Sequence, residues 1–262
     1  MKRKILFGVV CTLLFSLATN AQKVDALVFG GFSTDRFFSP NERTFDVYTF
    51  GLGYKGPKTS LMGYFNEGNL NNPDINSWAN QYELDFYHKL SKKTYYWLNY
   101  AYSSSSSFPD HRAMTRIWQD LGKGFGISAG GSYYYSSDNI FMANVGLEKY
   151  MGSFWIEGRP WIFFKDETKY AFQLTSRVFI KDINFIELML VTGAAPDEPW
   201  RTENATITNY KAHSVMLRTS TYLSKKHNLQ LKAGVGYSYE EYKPDIWRNR
   251  YVGNVGLIYK IF

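Results

Sequence analysis

The side chains able to do chemistry in this sequence are few and scattered. There are four histidines, His88, His111, His213 and His227, and one cysteine, Cys11. No two histidines stand at a spacing that holds a metal. Ser214 beside His213 supplies a nucleophile and a base, but neighbours on a strand point to opposite faces. They cannot make the direct contact that a hydrolytic triad needs. The serine run 103–107 lacks the glycine-flanked elbow that exposes a nucleophile. Pro196-Asp197-Glu198-Pro199 carries two acids without the spacing of a calcium loop and reads as a proline-held turn. No catalytic cluster, metal site or cofactor motif can be assembled, so enzyme activity is not expected.

A second constellation is more informative. Glu83 and Asp85 alternate with Tyr82, Leu84 and Phe86, and Arg112 and Arg116 flank Met114. Glu157 and Arg159 sit between apolar neighbours, and Arg177, Glu187, Arg218 and Lys232 each interrupt an apolar pattern. On strands that cross a membrane, a charge facing hydrocarbon near the midplane costs roughly 2–4 kcal/mol. These ten side chains are therefore expected to line an interior. Rings beside charged groups suit sugars, which stack on aromatic faces and hydrogen-bond to polar atoms. The same charges could instead pair and plug the interior, and both readings stand. Phe108, Pro109 and His111 fall in an expected outer loop, as a ligand contact or as a loop anchor set by the proline.

The elements that position these residues are strands. Aromatics make up 18% of the 262 residues, with 21 Tyr, 20 Phe and 7 Trp, yet the chain is slightly polar on average. A transmembrane barrel reconciles the two, because alternate side chains meet lipid and a wet lumen. Residues 229–240 show it best. Leu229, Leu231, Ala233, Val235, Tyr237 and Tyr239 share one face, and Gln230, Lys232, Gly234, Gly236, Ser238 and Glu240 the other. Such strands recur about every seventeen residues. They are expected near 24–36, 44–54, 58–68, 79–90, 94–105, 111–121, 124–136, 139–150, 153–165, 168–180, 183–194, 207–223, 228–241 and 248–261. Tight turns follow every second strand, for example Lys55-Gly56-Pro57 and Gly122-Lys123-Gly124. Longer connections, at 37–43, 69–78, 106–110, 195–206 and 242–247, tend to fall between them. That alternation separates periplasmic turns from outer loops. The expectation is an all-β, antiparallel outer-membrane barrel of about fourteen strands, with twelve as the alternative. Aromatics near strand ends, including Tyr95 to Trp97, Tyr133 to Tyr135, Phe154, Trp155, Trp161, Phe163, Phe164, Tyr239 and Tyr242, are expected to form two interfacial girdles.

Residues 1–21 read as a cleaved signal peptide: Lys2, Arg3 and Lys4, then an apolar run from Ile5 to Leu17, then Thr19 and Ala21 before the cut. The barrel then occupies residues 22–262. Cys11 lies in the leader, so the mature chain is expected to carry no cysteine. Cleavage removes three positive charges from a net +7 and leaves +4, with no long basic run and no argument for nucleic acid. The chain ends in Phe262, the kind of terminal aromatic that barrel-assembly machinery is thought to read, although it falls in phase with Lys260 rather than with the apolar face.

Several short motifs carry a resemblance. They are Asn99-Tyr100-Ala101-Tyr102-Ser103, Phe108-Pro109-Asp110-His111-Arg112, Gly126-Ile127-Ser128-Ala129-Gly130-Gly131, Tyr150-Met151-Gly152-Ser153-Phe154-Trp155 and Arg159-Pro160-Trp161. In this order they resemble the YaiO family of outer-membrane barrels. The resemblance implies a single barrel in the outer membrane of a Gram-negative bacterium, in contact with lipid and lipopolysaccharide. Some relatives carry a helical-repeat region before the barrel and look like parts of polysaccharide export systems; no such pattern is read here. The expected function is a conduit or binding channel for saccharides, or a part of an export system. The alternative is a closed structural barrel acting through its loops, and a lipid-modifying enzyme comes last.

Overall fold

The structure is a computed structural model that describes residues 25–39, 42–74, 76–105, 107–136, 139–164, 168–181, 183–194, 211–243 and 245–261. The leader expected at 1–21, the acidic turn at 196–199 and Phe262 lie outside these residues. Fourteen strands follow one another: β1 (Asp25–Phe37), β2 (Arg43–Lys55), β3 (Thr59–Asn71), β4 (Asn76–Lys89), β5 (Thr94–Ser103), β6 (His111–Gly122), β7 (Phe125–Tyr135), β8 (Asn139–Met151), β9 (Phe154–Phe164), β10 (Thr168–Ile180), β11 (Asn184–Ala194), β12 (Lys211–Tyr222), β13 (Leu229–Lys243) and β14 (Ile246–Lys260). Each pairs antiparallel with its sequence neighbours, and β1 pairs with β14 to close the barrel. Closure leaves no free sheet edge, the condition for a sheet to cross lipid.

The strands form where apolar residues alternate with polar or small ones. On β13, Val235 and Tyr239 face outward and are exposed, while Ser238 and Glu240 are buried inside. Leu257 and Tyr259 of β14 face outward with them. Tyr48, Trp78, Tyr82, Tyr100, Tyr102, Phe141, Tyr170 and Tyr251 ring the outer end of the exterior, as an interfacial girdle should. Tyr95, Trp97, Tyr134, Trp155, Trp161 and Phe163, expected in the girdles, point inward instead. The period of two splits every aromatic run between lipid and lumen. Tyr242's side chain lies outside the described residues.

One end of the barrel carries the tight turns 56–58, 90–93, 123–124 and 152–153. At Lys123-Gly124 both residues have positive φ, 53° and 79°, as a two-residue mirror-image hairpin turn requires. A Cβ on Gly124 would also lie 2.6 Å from the Tyr150 carbonyl oxygen. We assign this end to the periplasm by its turn lengths. At the other end two connections are shorter than expected. The stretch 69–78 reduces to 72–75, because β3 and β4 stay paired out to Asn71 and Asn76, with Asn69 Nδ2 donating to Asn76 Oδ1 at 2.7 Å. The stretch 242–247 reduces to 244–245, because β13 and β14 pair through an irregularity between Glu241 and Lys243. Polar residues that read as loop extend these hairpins beyond the apolar band.

Two apolar clusters fill the outer half of the interior. Phe45, Val47, Leu70, Ala79 and Phe108 form one. Tyr134, Ile140, Met142, Trp161, Phe163, Ala171 and Ala194 form the other. Between them in the ring of strands, Arg43, Arg248 and Arg250 sit over the Phe37 ring at 4.4, 4.4 and 5.1 Å. Arg250 pairs with Asp35 at 3.2 Å, and Arg248 with Glu240 at 2.8 Å. The inner half differs. Inward-facing Tyr87, Tyr95 and Tyr150 stay exposed.

Candidate functional site

A belt of charge crosses the middle of the lumen, and strand register builds it. Arg177, Glu187 and Arg218 are directly opposite one another on β10, β11 and β12. Glu187 is buried and receives both guanidiniums, Arg177 Nε at 3.0 Å and Arg218 Nη2 in direct contact. On β9, Glu157 and Arg159 are two residues apart, share the inner face and pair at 2.5 Å. A Cβ on Gly146 of β8 would lie 2.6 Å from Glu157 Oε1 and 2.5 Å from Ser128 Oγ. Glycine there lets the ion pair lie against the wall.

The opposite wall carries the acids of β4. Glu83 accepts from Arg112 Nη2 at 2.7 Å, Asn99 Nδ2 at 2.6 Å and Asn66 Nδ2 at 3.1 Å. Asp85 accepts from Asn99 Nδ2 at 2.8 Å and Trp97 Nε1 at 2.9 Å. Indole and amide donors thus take the place of a second cation. All ten charged positions named from the sequence carry inward-facing side chains.

Two cations of the belt stand apart. Arg116 of β6 makes no ion pair and no hydrogen bond among the described residues; its guanidinium lies over the rings of Trp118 and Trp161, at 5.4 and 5.9 Å. Lys232 of β13 is exposed to the lumen and has no ion-pair partner among the described residues. Asp85 is the charged group whose field reaches it.

The three loop positions separate. Phe108 and Pro109 are buried, and Phe108 meets Phe45 edge to face at 5.4 Å. Ser107, Phe108 and Pro109 therefore fold into the outer mouth of the barrel. His111 faces outward, with Nδ1 2.8 Å from the Tyr100 hydroxyl and its ring beside Tyr102 and Tyr135. The other histidines are local. His88 bonds Thr59 at 2.9 Å, His213 bonds Thr192 at 2.9 Å and stacks on Trp247, and His227 sits exposed in a turn. Ser214 points inward to Ser238, away from His213. No group of three or more candidate ligands that could hold a metal occurs among the described residues. Sequence reasoning set rings beside the charges without naming those of the lumen: Tyr64, Tyr87, Trp97, Trp118, Trp155 and Trp161 all point inward. Tyr87, Trp118, Trp155 and Trp161 stand two residues from Asp85, Arg116, Glu157 and Arg159, which was the available signal.

No curated protein matches the sequence. Among solved structures, the CymD monoaromatic hydrocarbon channel superposes with a TM-score of 0.56 at 7% identity, over 94% of this chain and 90% of that one. An anion-selective porin from Comamonas acidovorans gives 0.48 at 9%, over 91% and 99%. The KdgM porin, solved in complex with disordered oligogalacturonate, gives 0.48 at 12%, over 90% and 99%. At 7% identity the likeness to CymD concerns the fold alone. The sequence matches the YaiO membrane beta barrel domain over residues 30–198. With more than half of its length matched, this chain, a closed barrel of fourteen strands in the outer membrane, belongs to the YaiO membrane beta barrel family.

Proposed function

We propose that the barrel is a binding channel for saccharides, entered from the periplasmic side and constricted at its outer end. The observation that carries this reading is the inner lumen itself. Tryptophan and tyrosine rings stand next to charged groups there, and two cations, Arg116 and Lys232, have no carboxylate partner among the described residues. Sugars match such a wall, because flat ring faces cover the C–H surface while polar groups fix hydroxyls. Acyl chains do not, since they would leave buried polar groups unpaired. In this reading the protein transports or holds its ligand and performs no reaction on it. Residues 1–21 are removed on export.

The packed outer half favours a second reading, a closed structural barrel. Fourteen strands enclose a lumen between the filled eight-stranded barrels and the open sixteen-stranded porins. Side chains of one half are enough to shut it. Tryptophan fluorescence of the purified barrel, titrated with neutral and charged oligosaccharides, separates the two. The channel reading expects a saturable change, because Trp97, Trp118 and Trp155 face the ligand path. A flat response to every oligosaccharide leaves the closed barrel standing.

A further inference from the structure

The structure assigns one ligand class to one wall. We propose that β6 to β9 hold a site for a carboxylated sugar unit, centred on Arg116; the inference rests on the saccharide reading above and narrows it. The other four arginines of the belt are each held by a carboxylate: Arg112 by Glu83, Arg159 by Glu157, and Arg177 and Arg218 by Glu187. Arg116 is not. The charge that acts on it most strongly is the like-signed Arg159, ahead of Glu157. Glu157 in turn is already occupied by Arg159 through both of its oxygens. The wall is therefore short of one anion.

Its geometry names the anion's carrier. Trp118 and Trp161 flank the Arg116 guanidinium. Asn144 stands opposite Trp161 in the ladder, and a Cβ on Gly130 would lie 3.3 Å from both Asn144 Nδ2 and Arg116 Nε. These residues thus meet at one place on the wall. Around it, Arg116 Nε, Arg159 Nε and Trp161 Nε1 are buried donors without acceptors, and Asn144 Oδ1 is a buried acceptor without a donor. Asn144 and Trp161 are each 6% exposed. A buried polar group left unpaired is costly, so the set is poised for a ligand that carries both acceptors and donors. A guanidinium offers a carboxylate two parallel N–H bonds. A sugar ring can lie against the half-buried Trp118, with its hydroxyls directed toward Trp161 Nε1 and Asn144 Oδ1. A neutral sugar would satisfy the hydroxyl partners and leave the guanidinium charge unmatched.

The test is block of ion current through the purified full-length barrel in a planar bilayer. Two trisaccharides are compared, maltotriose and its C6-oxidised triglucuronate, which differ only in carboxylates. The wild type is expected to be blocked by triglucuronate at the lower concentration. Arg116→Gln should raise the half-blocking concentration of triglucuronate on the order of tenfold or more, as loss of a charge-assisted pair implies. It should leave maltotriose within about twofold, because no charged partner is lost there. Arg116→Lys, which keeps the charge without the fork, should fall between. Lys232→Gln removes the same charge elsewhere in the lumen and should shift the block less than Arg116→Gln. Should Arg116→Gln fail to fold, Trp161→Phe keeps a ring, loses the Nε1 donor and should weaken triglucuronate block several-fold on the same ground. Equal effects of Arg116→Gln and Lys232→Gln would overturn the site and leave only a general positive field. Stronger block by maltotriose would overturn the carboxylate preference while the saccharide reading stands. Absence of block by either sugar would end both.

Discussion

The outer and inner halves of this lumen are built on the same strands and have opposite characters. In the outer half Phe45 is 1% exposed, Phe108 5% and Arg248 1%. Apolar residues pack there, and charges are sealed in pairs. In the inner half Tyr95 is 43% exposed, Tyr87 45% and Tyr150 43%, although all three point into the barrel. Backbone geometry cannot cause the difference, since each strand runs through both halves. Its source is which side chains fall at inward positions. Toward the outer end these include Ala79, Ala101, Ala171 and Ala212 with large rings beside them, so small and large interlock. Toward the periplasmic end rings and cations face one another, with Arg177 over Trp155 at 4.9 Å. A barrel can thus be closed or open at different depths without any change of strand number.

The largest expected effect lies in the packed half. Phe45→Ala removes the ring that meets Phe108 and should destabilise the folded barrel by about 3–5 kcal/mol. Tyr95→Ala in the wet half should cost within about 0.5 kcal/mol, as surface changes do. Urea unfolding in lipid vesicles, followed by fluorescence, measures both, and equal losses would erase the distinction between the halves. Next comes Phe108→Ala, expected to cost somewhat less, about 2–4 kcal/mol, because the ring is delivered by a connection that can shift. It should also raise single-channel conductance by loosening the outer mouth, whereas unchanged conductance would place the constriction elsewhere. Glu187→Gln strands Arg177 and Arg218. Breaking a fully buried pair costs about 3–5 kcal/mol, but these arginines are 27% and 40% exposed, so about 1–2 kcal/mol is expected. The smallest effect belongs to Lys232→Gln. Stability should stay within about 0.5 kcal/mol, while the reversal potential in a salt gradient moves toward cation preference as a lumen cation is lost. An unmoved reversal potential would remove Lys232 from the ion path.

Much of this architecture was legible from the chain. Alternation over residues 229–240 places Val235 outside and Glu240 inside, and the structure agrees because a strand has only two faces. All fourteen strands lie within a few residues of their expected ranges. The outer hairpins were less legible. Asn69, Asn76 and Lys243 look like loop residues, yet backbone pairing continues past the bilayer wherever two strands already run side by side. The pairing of the belt was not legible at all. Glu187 meets Arg177 and Arg218 through a three-strand register that no single stretch of sequence displays. Arg116 looks like any other interior arginine in the sequence. Among the arginines of the belt it alone has no carboxylate within pairing distance among the described residues, and only the assembled wall reveals that. Phe108 and Pro109 were read as loop residues, which they are. Their burial follows from a connection turning into the barrel mouth, a long-range event without a local pattern.

In the proposed function the inner lumen is a sugar-binding path behind a packed outer mouth. The decisive measurement uses the purified barrel, inserted in one orientation in a planar bilayer, with oligosaccharide added first to one side and then to the other. Stepwise conductance is expected, with block stronger from the periplasmic side. A barrel that carries no current, and is unaffected by oligosaccharide from either side, would overturn the proposed function.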